Sequence, residues 1–171
     1  KIYEADYRRQ QKHLENLRDI LEKLTYQQNL AGLHFPGYQS MAANTTASNL
    51  LAVGYQAMYS NTTGADNISL GSQNMRSNTT GSVNVSMGGQ ASYANTTGFA
   101  NTSIGYRAAY ATTTGYGNTS MGDSALRSNV LGSNNVAIGR KTGTLRAAYD
   151  NSTFVGQGAD ASVTGLSNAM A

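Results

Sequence analysis

The sequence contains no cysteine and no tryptophan, only one proline, and just 12% charged residues. Without cysteine there can be neither a disulfide nor a thiolate metal site, and the redox compartment is left open. Large apolar residues are also scarce: Leu, Ile, Val and Phe together make up about one residue in six, fewer than a globular domain uses to offset its ordering entropy. No run approaches the roughly 18 apolar residues of a membrane span, so no membrane insertion is expected. Lys1 to Gln11 are too charged for a signal peptide, which places any export signal or anchor outside this chain. The formal net charge is only +3, and basic and acidic residues are divided evenly along the chain, so no nucleic-acid partner is expected.

Sparse apolar residues with a high net charge would imply disorder, but here the charge is low. What the chain has instead is Asn, Ser, Thr and Gly, about two-fifths of all residues, the material of turns and stacked coils. One phrase recurs every 17 residues: NTTASNLLAVGYQAMYS from Asn44, then copies from Asn61, Asn78, Asn95, Thr112 and Asn129, with no insertion. Gly54, Gly71, Gly88, Gly105, Gly122 and Gly139 fall in one column, which extends to Gly156 and back to Gly37. A fixed register held this long predicts a solenoid.

The residue before that glycine is always large and apolar: Val53, Leu70, Met87, Ile104, Met121, Ile138 and Val155. This column is expected to pack the core. Two residues earlier stand Leu51, Ile68, Val85, Thr102, Thr119 and Val136, with small residues between, which is the alternation of a strand with one buried face. Gly64, Gly81, Gly98, Gly115 and Gly132 mark a second bend. Each coil is therefore expected to hold two short strands and two turns, and seven coils spaced about 4.8 Å apart make a rod of roughly 34 Å. So few apolar side chains per coil leave one greasy flank uncovered, and three copies around an axis would cover one another. A homotrimer is the expected state.

Ahead of the repeats, Tyr3, Tyr7, Gln10, Leu14, Leu17, Leu21, Leu24, Gln28 and Ala31 follow alternating steps of four and three, a heptad seam with Leu14, Leu17, Leu21 and Leu24 at its centre. Gln10 and Gln28 either fix register or are tolerated near the ends. The predicted organisation is a coiled-coil helix over 1–31, a junction and partial repeat over 32–43 containing Gly32 and Pro36, six solenoid repeats over 44–145 and degenerate repeats over 146–171. Arg146 to Asp150 lose the motif, and the roll is expected to widen or end there.

The phrase NTTG followed by N-x-S-x-G-Y-x-A, as in Asn95 to Ala108, resembles the repeats of bacteriophage tail fibres and the heads of trimeric autotransporter adhesins of the YadA-like type. The likeness runs from about Phe35 to Val163. The 17-residue spacing with the Gly-Tyr-Gln-Ala tail of Gly54 to Ala57 is closer to the fibre repeats. In both families the resemblance implies a homotrimeric, left-handed parallel β-roll preceded by a coiled coil that serves as stalk or attachment point.

Catalysis needs converging titratable groups. The repeat region offers only Asp66, Asp123, Asp150, Asp160, His34 and a few basic residues, so no enzyme, cofactor or metal site is expected. His13 and His34 lack ligand spacing. Nine N-x-Ser/Thr sequons, at Asn44, Asn61, Asn67, Asn78, Asn84, Asn95, Asn101, Asn118 and Asn151, read either as glycosylation sites or as turn ladders that generate the pattern automatically. Tyr59, Tyr93 and Tyr110 share one column with Arg76 and Arg127, and Tyr38, Tyr55 and Tyr106 share another. Such rings suit either subunit packing or glycan contact. The expected function is a virion fibre or spike, extracellular and attaching to a host-surface glycan or protein, with other fibre or virion proteins bound through the helix. A bacterial cell-surface adhesin passenger and a glycosylated extracellular filament are the alternatives.

Overall fold

Every 17 residues the backbone returns to the same place one layer further along. In the structure, a computed structural model that describes residues 10–17, 37–144 and 148–160, each return contributes one three-residue strand: β1 (Leu51–Val53), β2 (Ile68–Leu70), β3 (Val85–Met87), β4 (Thr102–Ile104), β5 (Thr119–Met121), β6 (Val136–Ile138) and β7 (Thr153–Val155). They form one seven-stranded parallel sheet in chain order. Leu51 pairs with Ile68, Ile68 with Val85, and so on to Val136 with Thr153, always 17 residues apart. The protein is a mainly β, parallel β-solenoid.

Two expectations need correction. Each coil holds one strand rather than two, because three further positions per coil adopt left-handed backbone angles. Those of the third full coil are Val83 (φ 59°), Gln90 (φ 55°) and Ser92 (φ 49°), and a chain that turns left at such short intervals cannot run straight. The register also does not end where Arg146 to Asp150 lose the motif, since Asn151 to Gly156 recover it. Asn151 N–H still donates to Ser133 O at 3.0 Å and β7 still pairs with β6.

The two glycine columns serve different needs. Gly88 has φ +132°, and a Cβ there would lie 2.4 Å from Gly105 O; both angle and space demand glycine. Gly81 needs only the space: a Cβ would meet Gly98 O at 2.4 Å and Asn78 Oδ1 at 2.5 Å.

The coil interior is built from residues the apolar pattern does not mark. Val53, Leu70, Met87, Ile104, Met121, Ile138 and Val155 are half-buried or exposed on the outer face of the sheet, and the residues that point inward are Ala52, Ser69, Ser86, Ser103, Ser120, Ala137 and Phe154. The expected core column therefore does not line the coil. A three-residue strand presents only its middle side chain to the enclosed side, and its two flanking residues face out. The interior is completed by asparagine. Asn84 Oδ1 accepts the Asn101 backbone N–H at 3.0 Å, and Asn84 Nδ2 donates to Gly98 O at 2.9 Å. Asn118 and Asn135 repeat the arrangement two and three layers on. A second column links Asn61, Asn78 and Asn95 side chain to side chain at 2.7 and 2.8 Å. Buried amides of this kind are tolerable because nearly all their donors and acceptors are used.

Apolar side chains close the two ends of this polar interior. At the start Met41, Leu50, Ala52, Ala57, Met58 and Met75 cluster. At the finish Leu126, Ala137, Tyr149, Phe154 and Ala159 do the same. Tyr149 replaces the space-saving glycine, and its ring meets Phe154 edge-on at 4.9 Å and 65°. Gly143 leaves room for that plug, since a Cβ there would approach Leu126 Cδ2 at 2.9 Å and Phe154 Cδ2 at 3.2 Å.

The chain divides into two units, residues 1–31 and 32–171. In the first, residues 10–17 are helical and all exposed, Leu14 and Leu17 among them. Leu21, Leu24, Gln28 and Pro36 lie outside the described residues, as do Arg146 and the tail beyond Asp160.

Candidate functional site

Two surface features of the solenoid are candidates for function. The first is the outer face of the sheet. On each strand the first and third residues face out, giving rows of Leu51 and Val53, Ile68 and Leu70, Val85 and Met87, then Thr102 and Ile104, Thr119 and Met121, Val136 and Ile138, Thr153 and Val155. Every one is half-buried or exposed. Parallel pairing in strict register stacks like on like, so the apolar column before the glycine becomes a continuous ridge along the solenoid.

The second is the turn that follows Gly54 and its equivalents. There the side chains form ladders along the stacking direction. Tyr38 and Tyr55 stack with centroids 5.9 Å apart, and Tyr93 and Tyr110 at 5.2 Å. The Arg76 guanidinium bridges the neighbouring rings, 5.3 Å from Tyr59 and 6.0 Å from Tyr93, and its Nε donates to Gln56 Oε1 at 3.1 Å. Arg107 lies over both Tyr106 and Tyr110, at 5.1 and 5.2 Å, and donates to Gln90 Oε1. Of the possible glycan-contact residues, Tyr59, Tyr93 and Tyr110 are half-buried, with ring faces engaged by one another and by arginine, and the Tyr93 hydroxyl accepts from Arg76 Nη1 at 3.4 Å. The sequence pattern did not single out a third ladder, Phe99 with Tyr116, whose rings are 4.9 Å apart and nearly parallel. The 17-residue offset between them was the available signal.

The sequons are also placed. Asn44, Asn61, Asn67, Asn78, Asn84, Asn95, Asn101 and Asn118 are buried, and Asn151 alone among the nine is exposed. A glycan on any of the buried eight is incompatible with the enclosed asparagine columns, so the turn-ladder reading accounts for them. Among the described residues there is no group of three His, Cys, Asp or Glu side chains that could hold a metal, and no helix long and apolar enough to cross a membrane. The closest oppositely charged pair described is Arg140 and Asp123, at 3.5 Å on the surface.

Comparison of the chain with family models, with curated proteins and with solved structures found no match.

Proposed function

We propose that the chain is a structural fibre protein of a virion, in which three copies pack the outer faces of their sheets together into a rigid rod that attaches to a host surface. The observation that carries this reading is the apolar ridge from Val53 to Val155, repeated through all seven strands and half-buried or exposed among the described residues. Fully covering a Leu, Ile or Met is worth about 1.5 to 3 kcal/mol, and covering the remaining exposed part on the order of 1 kcal/mol each. A second copy of the same ridge is the natural cover, because it matches the ridge in both chemistry and repeat length. The heptad seam centred on Leu14, Leu17, Leu21 and Leu24 supplies a second trimer contact and the attachment point to other fibre proteins. The resemblance of the NTTG repeats to tail-fibre sequences favours a virion over a bacterial cell surface.

A panel of purified bacterial envelopes tests attachment. Labelled protein is expected to bind at least one envelope saturably, and the double variant Leu70→Lys/Met121→Lys, shown separately to be monomeric yet still β-rich, is expected to lose that binding. Equal binding by the monomeric variant, or no binding across the panel, overturns the reading.

A further inference from the structure

The basic side chains described in the solenoid are Arg76, Arg107, Arg127, Arg140 and Lys141, and all of them fall in the single turn after the strand. The acidic side chains divide between the two turns. Asp66 and Asp150 belong to the turn before the strand, whereas Asp160, in the turn after the last strand, accepts from Tyr149 Oη and Thr144 N. Asp123 also lies in the basic turn, beside Arg140. With five cations against two carboxylates, the turn after the strand is a positive strip on a chain of slight net charge.

The cations stand in columns along the stack. Arg107 and Lys141 occupy one column two coils apart, and Arg76 and Arg127 another column three coils apart, or about 10 and 14 Å at ~4.8 Å per coil. Tyr106 and Gln90 stand between the cations, and the exposed Tyr38 and Tyr55 with Gln56 and Gln73 extend the same turn up to Arg76. We infer that this strip is a binding site for an acidic polysaccharide. Carboxylates recurring along a linear glycan would meet the guanidinium and ammonium groups, while tyrosine hydroxyls and glutamine amides would take the sugar hydroxyls. Single-stranded nucleic acid fits less well, because it would need free aromatic faces for its bases, and the faces of Tyr93 and Tyr110 are already covered by each other and by arginine. This inference rests on the attachment reading and names the chemical class of its target.

The test is binding of the 171-residue chain to a polygalacturonate oligomer, with neutral dextran and single-stranded DNA of matched charge as comparators, the assembly state being measured on the same samples. Saturable binding to the uronate is expected, with little to dextran. Arg127→Ser/Lys141→Ser, both exposed positions, should weaken uronate binding about tenfold or more. Tyr55→Ser/Tyr106→Ser should weaken it while leaving the charge intact. Absence of uronate binding, equal or tighter binding of the DNA, or insensitivity to both double variants overturns the inference. The assembly measurement stands apart, so a trimer that fails to bind uronate refutes only the glycan site.

Discussion

Thr112 stands where other coils have asparagine, and the consequence falls on its neighbour: Asn95 Oδ1 is buried with no hydrogen-bond partner among the described residues. In the preceding layers that oxygen accepts from the next coil, Asn78 Nδ2 to Asn61 Oδ1 and Asn95 Nδ2 to Asn78 Oδ1. Thr112→Asn should therefore restore the bond and raise unfolding free energy by about 1 kcal/mol in urea titration; an unchanged or lower midpoint contradicts the ladder account. Val83 offers a second site. It is β-branched, 58% exposed and held at φ 59°, while equivalent positions carry Asn49, Asp66, Gly117 and Asn134, residues that accept this angle readily. Val83→Asn is expected to raise the melting temperature, with a gain on the order of 1 kcal/mol. Ser103 has a buried hydroxyl without a partner and sits in a column where Ala52 and Ala137 serve elsewhere, so Ser103→Ala should be neutral or mildly stabilising. Asn101 is the opposite case: its side chain satisfies both Asn118 N and Gly115 O, and Asn101→Ala should cost about 2 to 3 kcal/mol.

At the scale of the coil, the unit of structure is the 17-residue repeat, so changes that respect it should be absorbed. Deleting residues 78–94 removes one coil and joins Ser77 to Asn95, keeping every column in line. Circular dichroism should show a folded solenoid of slightly lower stability, whereas deleting residues 78–93 shifts each later column by one place, turns the asparagines out and should abolish cooperative unfolding. The period, the glycine columns and the position of the one strand each coil does hold were readable in the sequence because they depend on spacing alone. The direction in which the strand faces was not. The alternation of Val85, Ser86 and Met87 fits either face equally well, and ordinary hydrophobic burial points the apolar pair inward. What decides the matter is the pair of asparagine columns, which fill the coil with satisfied amides and leave the apolar residues for the outside. Likewise the loss of the motif near Asp150 looked like an ending. In fact Tyr149 and Phe154 exchange the polar interior for an aromatic plug without altering the register. The candidate surface was half legible: the tyrosine columns were visible, but the gathering of the cations beside them required knowing that residues three apart in the turn, such as Arg107 and Tyr110, touch.

At the scale of the whole molecule, the described coils are filled from within, while the outside of the sheet carries an apolar ridge. Nothing in the interior needs a second chain, since the asparagine and threonine ladders run from coil to coil within one polypeptide. The proposed trimer would set its other chains against the outer ridge. Sedimentation equilibrium of the 171-residue chain, followed across concentration, tests the trimer proposal most directly. The account predicts a mass three times the 18.0 kDa of the chain, falling toward a single chain in Leu70→Lys/Met121→Lys. A wild-type chain that stays monomeric with its apolar ridge open to water would contradict it.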